Sequence, residues 1–151
     1  MSIKVIATNR KARHEYEFHD TFEAGLVLKG SEIKSIRAGR VSLQQGYVSF
    51  ERGEAWLVDV HIAPYDQAGR ENHEPRRRRK LLLNRREIDR LAGQAQQKGY
   101  TVVPTQLYLK DGKAKIEIAL ARGKKMYDKR QSIAERDSKR QMERAIKERY
   151  E

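Results

Sequence analysis

The chain has no cysteine and only three prolines among its 151 residues. Without cysteine no disulfide can form, and the N-terminal segment lacks the apolar stretch that directs secretion. No run of apolar residues exceeds a few positions, so the sequence predicts neither a membrane-spanning helix nor a membrane partner. We therefore expect a reduced, cytoplasmic protein.

Motifs of common catalytic sites are also missing. The sequence contains no glycine-rich phosphate loop, no Gly-x-Ser-x-Gly and no HExxH. Its four histidines have no regular metal-ligand spacing. The sequence predicts no enzyme, no cofactor and no structural metal; the remaining catalytic alternative is a nuclease that holds Mg²⁺ with Asp20, Glu23 and Glu32.

Charge is distributed very unevenly along the chain. Residues 1–74 contain ten Lys or Arg and eleven Asp or Glu, whereas residues 75–151 contain twenty-three and ten, and the net charge is +12. Such asymmetry in a protein with a pI near 10 favours a polyanionic partner. Nucleic acid is favoured over an anionic membrane because no lipidation signal is present.

The segment 122–151 is too polar to join a folded core. It holds eleven Lys or Arg and six Asp or Glu, and its apolar residues are scattered. Good helix formers fill 131–149 without Pro or Gly. We expect one folded domain over 1–121 and a basic tail over 122–151 that is disordered when free and helical on a partner.

The remaining pattern is mainly β with helices inserted. Apolar alternation and turn residues predict strands at 16–28, 41–50, 55–62, 101–109 and 113–121, and helices after Ser31 and Asn84. Three strands, a helix and two strands is the order of the OB-fold, so we expect an OB-fold-like closed antiparallel β-barrel with flanking helices. Another small barrel with two helices remains the alternative.

Basic clusters flank the predicted barrel. Four arginines occupy 76–79, and we expect that they cannot all pair internally and turn to solvent or to phosphate. A solvated loop or a sorting signal is the alternative for this run. Two further groups, 10–13 and 124–125, favour a surface that follows phosphates.

Two side chains carry candidate selectivity. Tyr16 lies beside His14 and near Arg13, and an aromatic ring next to cations can stack an unpaired base and hold its phosphate. The same tyrosine can equally be the first core residue of a strand. Glu23 can accept hydrogen bonds from RNA donors or balance a neighbouring arginine.

Several blocks of the chain resemble one family, the tmRNA-binding small protein B, or SsrA-binding protein, family. They are NRKARHEY at 9–16, TFEAG at 21–25, GSEIKSIRAG at 30–39, IAPY at 62–65, KLLL at 80–83 and GKKMYDKR at 123–130. The resemblance implies a bacterial, monomeric OB-fold adaptor that binds the tRNA-like domain of transfer-messenger RNA (tmRNA). It also implies delivery to the A site of stalled ribosomes, where the tail probes the empty mRNA channel.

The resemblance also implies site residues. Together with the cation Arg13, the RNA-binding positions are Asn9, Tyr16, Glu23, Leu82, Asn84, Gly123 and Lys124. The ribosome-binding part of the tail comprises Lys125, Tyr127, Asp128, Lys129 and Arg130. In this sequence Leu82 looks like a core residue and Asn84 like a helix cap. Two tail positions depart from the commoner pattern, Tyr127 from His and Ser138 from Trp.

Overall fold

The computed structural model describes residues 2–124, and its main element is a seven-stranded antiparallel sheet. The strands are β1 (Ile3–Thr8), β2 (Tyr16–Leu26), β3 (Val41–Ser42), β4 (Tyr47–Glu51), β5 (Glu54–Val58), β6 (His61–Ile62), β7 (Arg79–Leu82), β8 (Tyr100–Lys110) and β9 (Lys113–Gly123). The hydrogen-bonded order is β1-β8-β9-β2-β7-β5-β4, and β3 pairs with β6 separately. The helices are α1 (Arg10–Glu15), α2 (Gly30–Arg37) and α3 (Arg85–Ala95), with a 3₁₀ segment at Asp66–Glu71.

Two predicted hairpins are confirmed, and their turns explain why. Asp111 and Gly112 have φ values of 49° and 81°, and Arg52 and Gly53 have 53° and 75°. Two consecutive positive φ values twist a two-residue loop in the sense that joins antiparallel strands. These turns fix the registers of β8 against β9 and of β4 against β5.

One layer of inward-facing side chains forms the core between the curved sheet and two helices. Ile36 of α2 and Leu91 of α3 are fully buried against strand residues such as Ile116 and Ile118. The predicted start of α3 is confirmed, because Asn84 Oδ1 accepts the Glu87 N–H at 2.9 Å and Glu87 returns a bond to the Asn84 N–H at 3.2 Å. This reciprocal capping satisfies two donors that the first turn would otherwise leave open.

The expected closed barrel is not formed within the described residues, since the sheet order ends at β1 and β4. The predicted strand 41–50 is interrupted by a turn in which the Gly46 N–H bonds the Leu43 carbonyl at 2.9 Å. Gly46 then packs against Pro104 of β8, so close that a Cβ would lie 2.9 Å from the proline Cγ. Because proline has no N–H to donate, Gly46 and Pro104 are in contact without adding a hydrogen bond between the two strands that would close the sheet.

Other elements were not predicted. β1 and α1 precede the first expected strand, and the 3₁₀ segment and β7 lie between 62 and 84, where no element was expected. The last strand continues past the expected residue 121 to Gly123. Among the helices of residues 2–124, none has the length and apolarity needed to cross a bilayer. Because β9 reaches Gly123, the predicted tail begins later than residue 122, and the predictions for residues 125–151 lie outside the described residues.

Candidate nucleic-acid interface

Several candidate RNA-binding residues lie along the side of β2, β8 and β9 that faces away from the core, which we term the outer face. In β2 the inward positions are taken by Phe22 and Ala24, so Glu23 points outward. Tyr16 pairs with Gly123 of β9, and Glu23 pairs with Glu117 of the same strand. The two ends of the candidate site are therefore connected along one strand.

At one end, Arg13, Tyr16, Gly123 and Lys124 come together. The Lys124 ammonium donates to the Arg13 carbonyl at 3.1 Å, which ties the end of β9 to α1. A groove of about 370 Å³ is lined by Arg13, Tyr16, Glu17, Phe18, Thr21, Thr105, Glu117 and Lys124. Cations beside an aromatic ring in an open groove are suited to a phosphate and an unpaired base.

Tyr16 is half-buried, which confirms a packing role for the ring, while its stacking role stays a prediction. It packs with Phe18 against a small cluster of Ala12, Val103 and Ala121, separate from the main core. The cluster lies where α1 crosses the outer face. The ring is thus anchored on one side and still lines the groove on the other.

Asn9 lies beneath this end and is almost fully buried, with 1% exposure. Its amide donates to the carbonyls of Leu43 and Pro104, at 3.1 and 2.9 Å, and its Oδ1 accepts the Ala12 N–H at 3.0 Å. Both amide hydrogens are therefore used internally. Asn9 fixes α1 against the 43–46 turn and β8, and its contribution to RNA binding stays a prediction.

Glu23 has an internal cationic partner and remains accessible. Its Oε1 lies 3.4 Å from Lys110 Nζ, and its side chain is 40% exposed. The Tyr108 hydroxyl donates to Oε2. This hydrogen bond lowers the pKa of Glu23 below its ordinary value against a smaller opposing effect of burial, and Lys110 and Lys115 add to the lowering. Glu23 is thus an ionised, oriented acceptor.

Tyr108 and Lys110 are functional candidates that the sequence did not identify. They lie on β8, 85 and 87 positions from Glu23, and their approach depends on the register of β2, β9 and β8. Alternation within β8 indicates which residues share a face, but not which residue of another strand they meet. No local signal in the sequence pairs them with Glu23.

Leu82 is not a core residue, contrary to the prediction. Its exposure is 54%, whereas its neighbour Leu81 is 1% exposed. A strand buries alternate residues, so only one of the two adjacent leucines can face the core. Leu82 lies over Gly25, whose added Cβ would come within 3.3 Å of it, and both line a groove of about 340 Å³ with Lys113 and Lys115.

Asn84 lies two residues beyond Leu82, exposed at the start of α3. Its oxygen is engaged in the helix cap described above. The structure thus places it beside the outer face rather than within it, and confirms the predicted capping role. The contribution of Asn84 to RNA binding stays a prediction.

The prediction for the arginine run 76–79 is wrong in part: each side chain has an internal partner and Arg79 is fully buried, whereas Arg76 and Arg78 remain exposed to solvent. Arg77 and Arg79 bond Glu32 at 2.6 and 2.5 Å. Arg78 pairs with Glu51 at 3.0 Å and lies over the Trp56 ring, and Arg76 donates to the Asp59 carbonyl at 3.4 Å. The acceptors come from distant segments that the fold brings around the run.

The carboxylates of the nuclease alternative do not converge. Asp20 pairs with Arg90 at 3.2 Å, and Glu32 is fully buried between arginines. Across residues 2–124 no group of three or more acidic, histidine or cysteine side chains is arranged to hold a metal ion. Lys125, Tyr127, Asp128, Lys129 and Arg130 lie outside the described residues.

Comparison with known proteins gives consistent matches. The profile of the SmpB protein family matches residues 6–148. The SsrA-binding protein of Roseiflexus castenholzii is 63% identical over 147 residues, covering 97% of this chain and 93% of that protein. The SsrA-binding protein of Desulfitobacterium hafniense is 58% identical over 146 residues, covering 97% and 94%.

A solved structure is similar as well. One chain of the structure described as "tmRNA-SmpB: a journey to the center of the bacterial ribosome" aligns with a TM-score of 0.67 and 48% identity. The alignment covers 78% of this chain and 82% of that chain. Sequence and fold thus point to the same group of proteins.

Proposed function

Because the chain belongs to the SmpB protein family, we propose that it is an RNA-binding adaptor for ribosome rescue. In this role it binds the tRNA-like domain of tmRNA and delivers it to the A site of stalled ribosomes for trans-translation. The solved structure that it resembles is described as a tmRNA-SmpB structure in the bacterial ribosome, which supports this assignment. The protein acts in the cytoplasm, as a monomer in the complex, and carries out no bond chemistry itself.

The single observation that carries the proposal is the gathering of the candidate residues on the outer face. Lys124 and Arg13 contact phosphates, the Tyr16 ring stacks on an unpaired base, and Glu23 accepts from RNA donors. Leu82 presents an apolar contact, while Asn9 and Asn84 hold the surface in shape. Phosphate contacts give affinity, and the carboxylate adds selectivity.

The basic tail performs the second half of the function. We assign its ribosome-binding part to Lys125, Tyr127, Asp128, Lys129 and Arg130. Phosphates lining the vacant mRNA path compensate the tail's charge, and its helix-forming composition suits it to order there. Occupied mRNA would exclude it, so the tail reports that no message is present. A Tyr127 ring can stack on ribosomal RNA in place of an imidazole.

Two measurements on the full chain test this function. The protein is used to capture RNA from a bacterial lysate, and the bound RNA is sequenced; one dominant structured RNA supports the adaptor, and a broad mixture contradicts it. A chain ending after Lys125 is then assayed for tmRNA binding and for tagging of proteins on stalled ribosomes.

We expect the shortened chain to keep tmRNA binding and to lose tagging. Replacing Ala134 with Pro serves as a matched variant, because proline destabilises a helix interior by about 3 kcal/mol while every basic group is kept. Tagging that continues undiminished without the tail would show that the tail is a nonspecific polycation.

A further inference from the structure

The Tyr108 side chain reaches Glu23 across an intervening strand. β9 separates β8 from β2, and Tyr108 pairs with Lys115 while Glu23 pairs with Glu117. The tyrosine is only 6% exposed, and its hydroxyl donates to Glu23 Oε2. The buried Tyr108 ring on the outer face thus ends in a hydroxyl that donates to the partly exposed Glu23 carboxylate.

Lys110 engages the other carboxylate oxygen. Its ammonium lies 3.4 Å from Oε1 and is itself partly exposed. Two donors from β8, one to each oxygen, define the plane of the Glu23 carboxylate. A glutamate on a strand otherwise samples several rotamers, and ordering such a side chain on binding costs free energy.

The protonation states of the pair are complementary. The Tyr108 hydroxyl is the largest cause of the lowered pKa of Glu23, and burial together with the Glu23 carboxylate raises the pKa of Tyr108. At neutral pH the glutamate is therefore charged and the tyrosine keeps its proton. An ionised carboxylate has about four lone-pair sites, so two bonds from β8 leave acceptor capacity on the exposed side.

We propose that Tyr108 is a positioning residue for RNA recognition: its hydroxyl holds the Glu23 carboxylate on the outer face, oriented as an acceptor for N–H or O–H donors of the bound RNA. This inference rests on the proposed function. It assigns to Tyr108 no contact with RNA. It explains how the Glu23 carboxylate keeps one orientation while Lys110 engages only one of its two oxygens.

Replacing Tyr108 with Phe removes the hydroxyl and keeps the buried ring. We expect Y108F to bind the tRNA-like domain about three- to ten-fold more weakly, because the hydrogen bond that orients the Glu23 carboxylate is lost. The slope of affinity against salt should stay unchanged, because no phosphate contact is lost. Tyr65→Phe is the matched control, since it also removes a hydroxyl that donates to a side-chain oxygen, that of Gln67 at 2.6 Å, at the start of the 3₁₀ segment, and it should bind normally.

The remaining arms separate positioning from stability. Glu23→Ala should weaken binding at least as much as Y108F, and adding Y108F to it should weaken binding no further. Titration of the Glu23 carboxyl by NMR should show its pKa returning toward the ordinary value in Y108F. A thermal melt close to that of the wild type shows that the ring still packs.

Each outcome has a distinct meaning. The positioning role would be overturned if Y108F binds normally while Glu23→Ala is impaired. It would also be overturned if the losses in the double variant are additive. Either result leaves the proposed function standing. Normal binding by Glu23→Ala would remove both Glu23 and Tyr108 from recognition. If the wild-type protein shows no preference for tmRNA, the proposed function itself fails.

Discussion

Replacing Arg79 with Met should be among the most damaging single changes in the folded domain. Arg79 and Glu32 are both 0% exposed, and Arg79 Nε donates to Glu32 at 2.5 Å. The other guanidinium nitrogens donate to the buried carbonyl of Val60 at 2.6 Å and to the partly buried carbonyl of Pro75 at 3.0 Å. One substitution therefore removes one cationic partner of a buried carboxylate and the side-chain donor to the buried Val60 carbonyl, while the Pro75 carbonyl keeps its bond from the Ile62 N–H.

The expected loss of unfolding free energy is about 3–5 kcal/mol, the usual cost of removing one partner of a buried ion pair. Arg77 still donates to Glu32 at 2.6 Å, which places the result toward the lower end of this range. The melting temperature should fall by at least about 6 °C, at roughly 2–4 °C per kcal/mol for a chain of this size. Urea unfolding followed by the fluorescence of Trp56, the single tryptophan, measures the change.

Arg78→Met is the matched control within the same run. Its pair with Glu51 is 45% and 55% exposed, and such surface pairs contribute about 0–1 kcal/mol. A loss below about 1 kcal/mol in the Arg79 variant, similar to that of the control, would refute the account. The buried network would then be no more important for stability than the surface pair.

Three further results are expected. Burial raises the pKa of Glu32, but hydrogen bonds from Arg77, the Lys29 N–H and Arg79 outweigh burial, so the pKa lies below its ordinary value. The stabilisation from ionised Glu32 is therefore fully present above the unfolded glutamate pKa of about 4.3, and it is lost as the pH falls through the lower folded pKa. When the free energy of unfolding is measured against pH, its decrease over this acidic range should be smaller in Glu32→Gln than in the wild type. Leu82→Ala should change stability by under about 0.5 kcal/mol and still weaken binding of the tRNA-like domain in a filter-binding assay. Lys124→Ala should lower the salt slope of RNA binding by about one, whereas Arg78→Met should leave it nearly unchanged.

The sequence predicted those parts of the fold that local residues specify. The Asp111-Gly112 turn carries two residue types that positive φ values favour, the Arg52-Gly53 turn carries one in Gly53, and both hairpins are present. The Asn84 capping box is likewise a local signal. β1 was missed because it is an exposed edge strand with little inward-facing apolar pattern, including Ile3 at 57% exposure.

Features that depend on distant segments were not predictable in the same way. The arginine run finds Glu32 about forty-five positions away, and Tyr108 meets Glu23 eighty-five positions away. Three consecutive leucines show no alternation, so the exposed position of Leu82 follows only from the register of β7 against β2. Local patterns give elements and turns; the fold decides which side chains meet.

Pairing within the arginine run changes where the positive field of the protein acts. Arg77 and Arg79 share Glu32, and Arg78 is matched by Glu51, so this densest cationic stretch is partly neutralised by the fold. The cations of α1 are exposed, and Lys124 lies beside them at the end of β9. Exposed positive charge therefore lies next to Tyr16, whose ring can stack on a base. The basic tail follows β9 at this same end of the sheet. Phosphate attraction and base selection consequently act on neighbouring parts of one RNA.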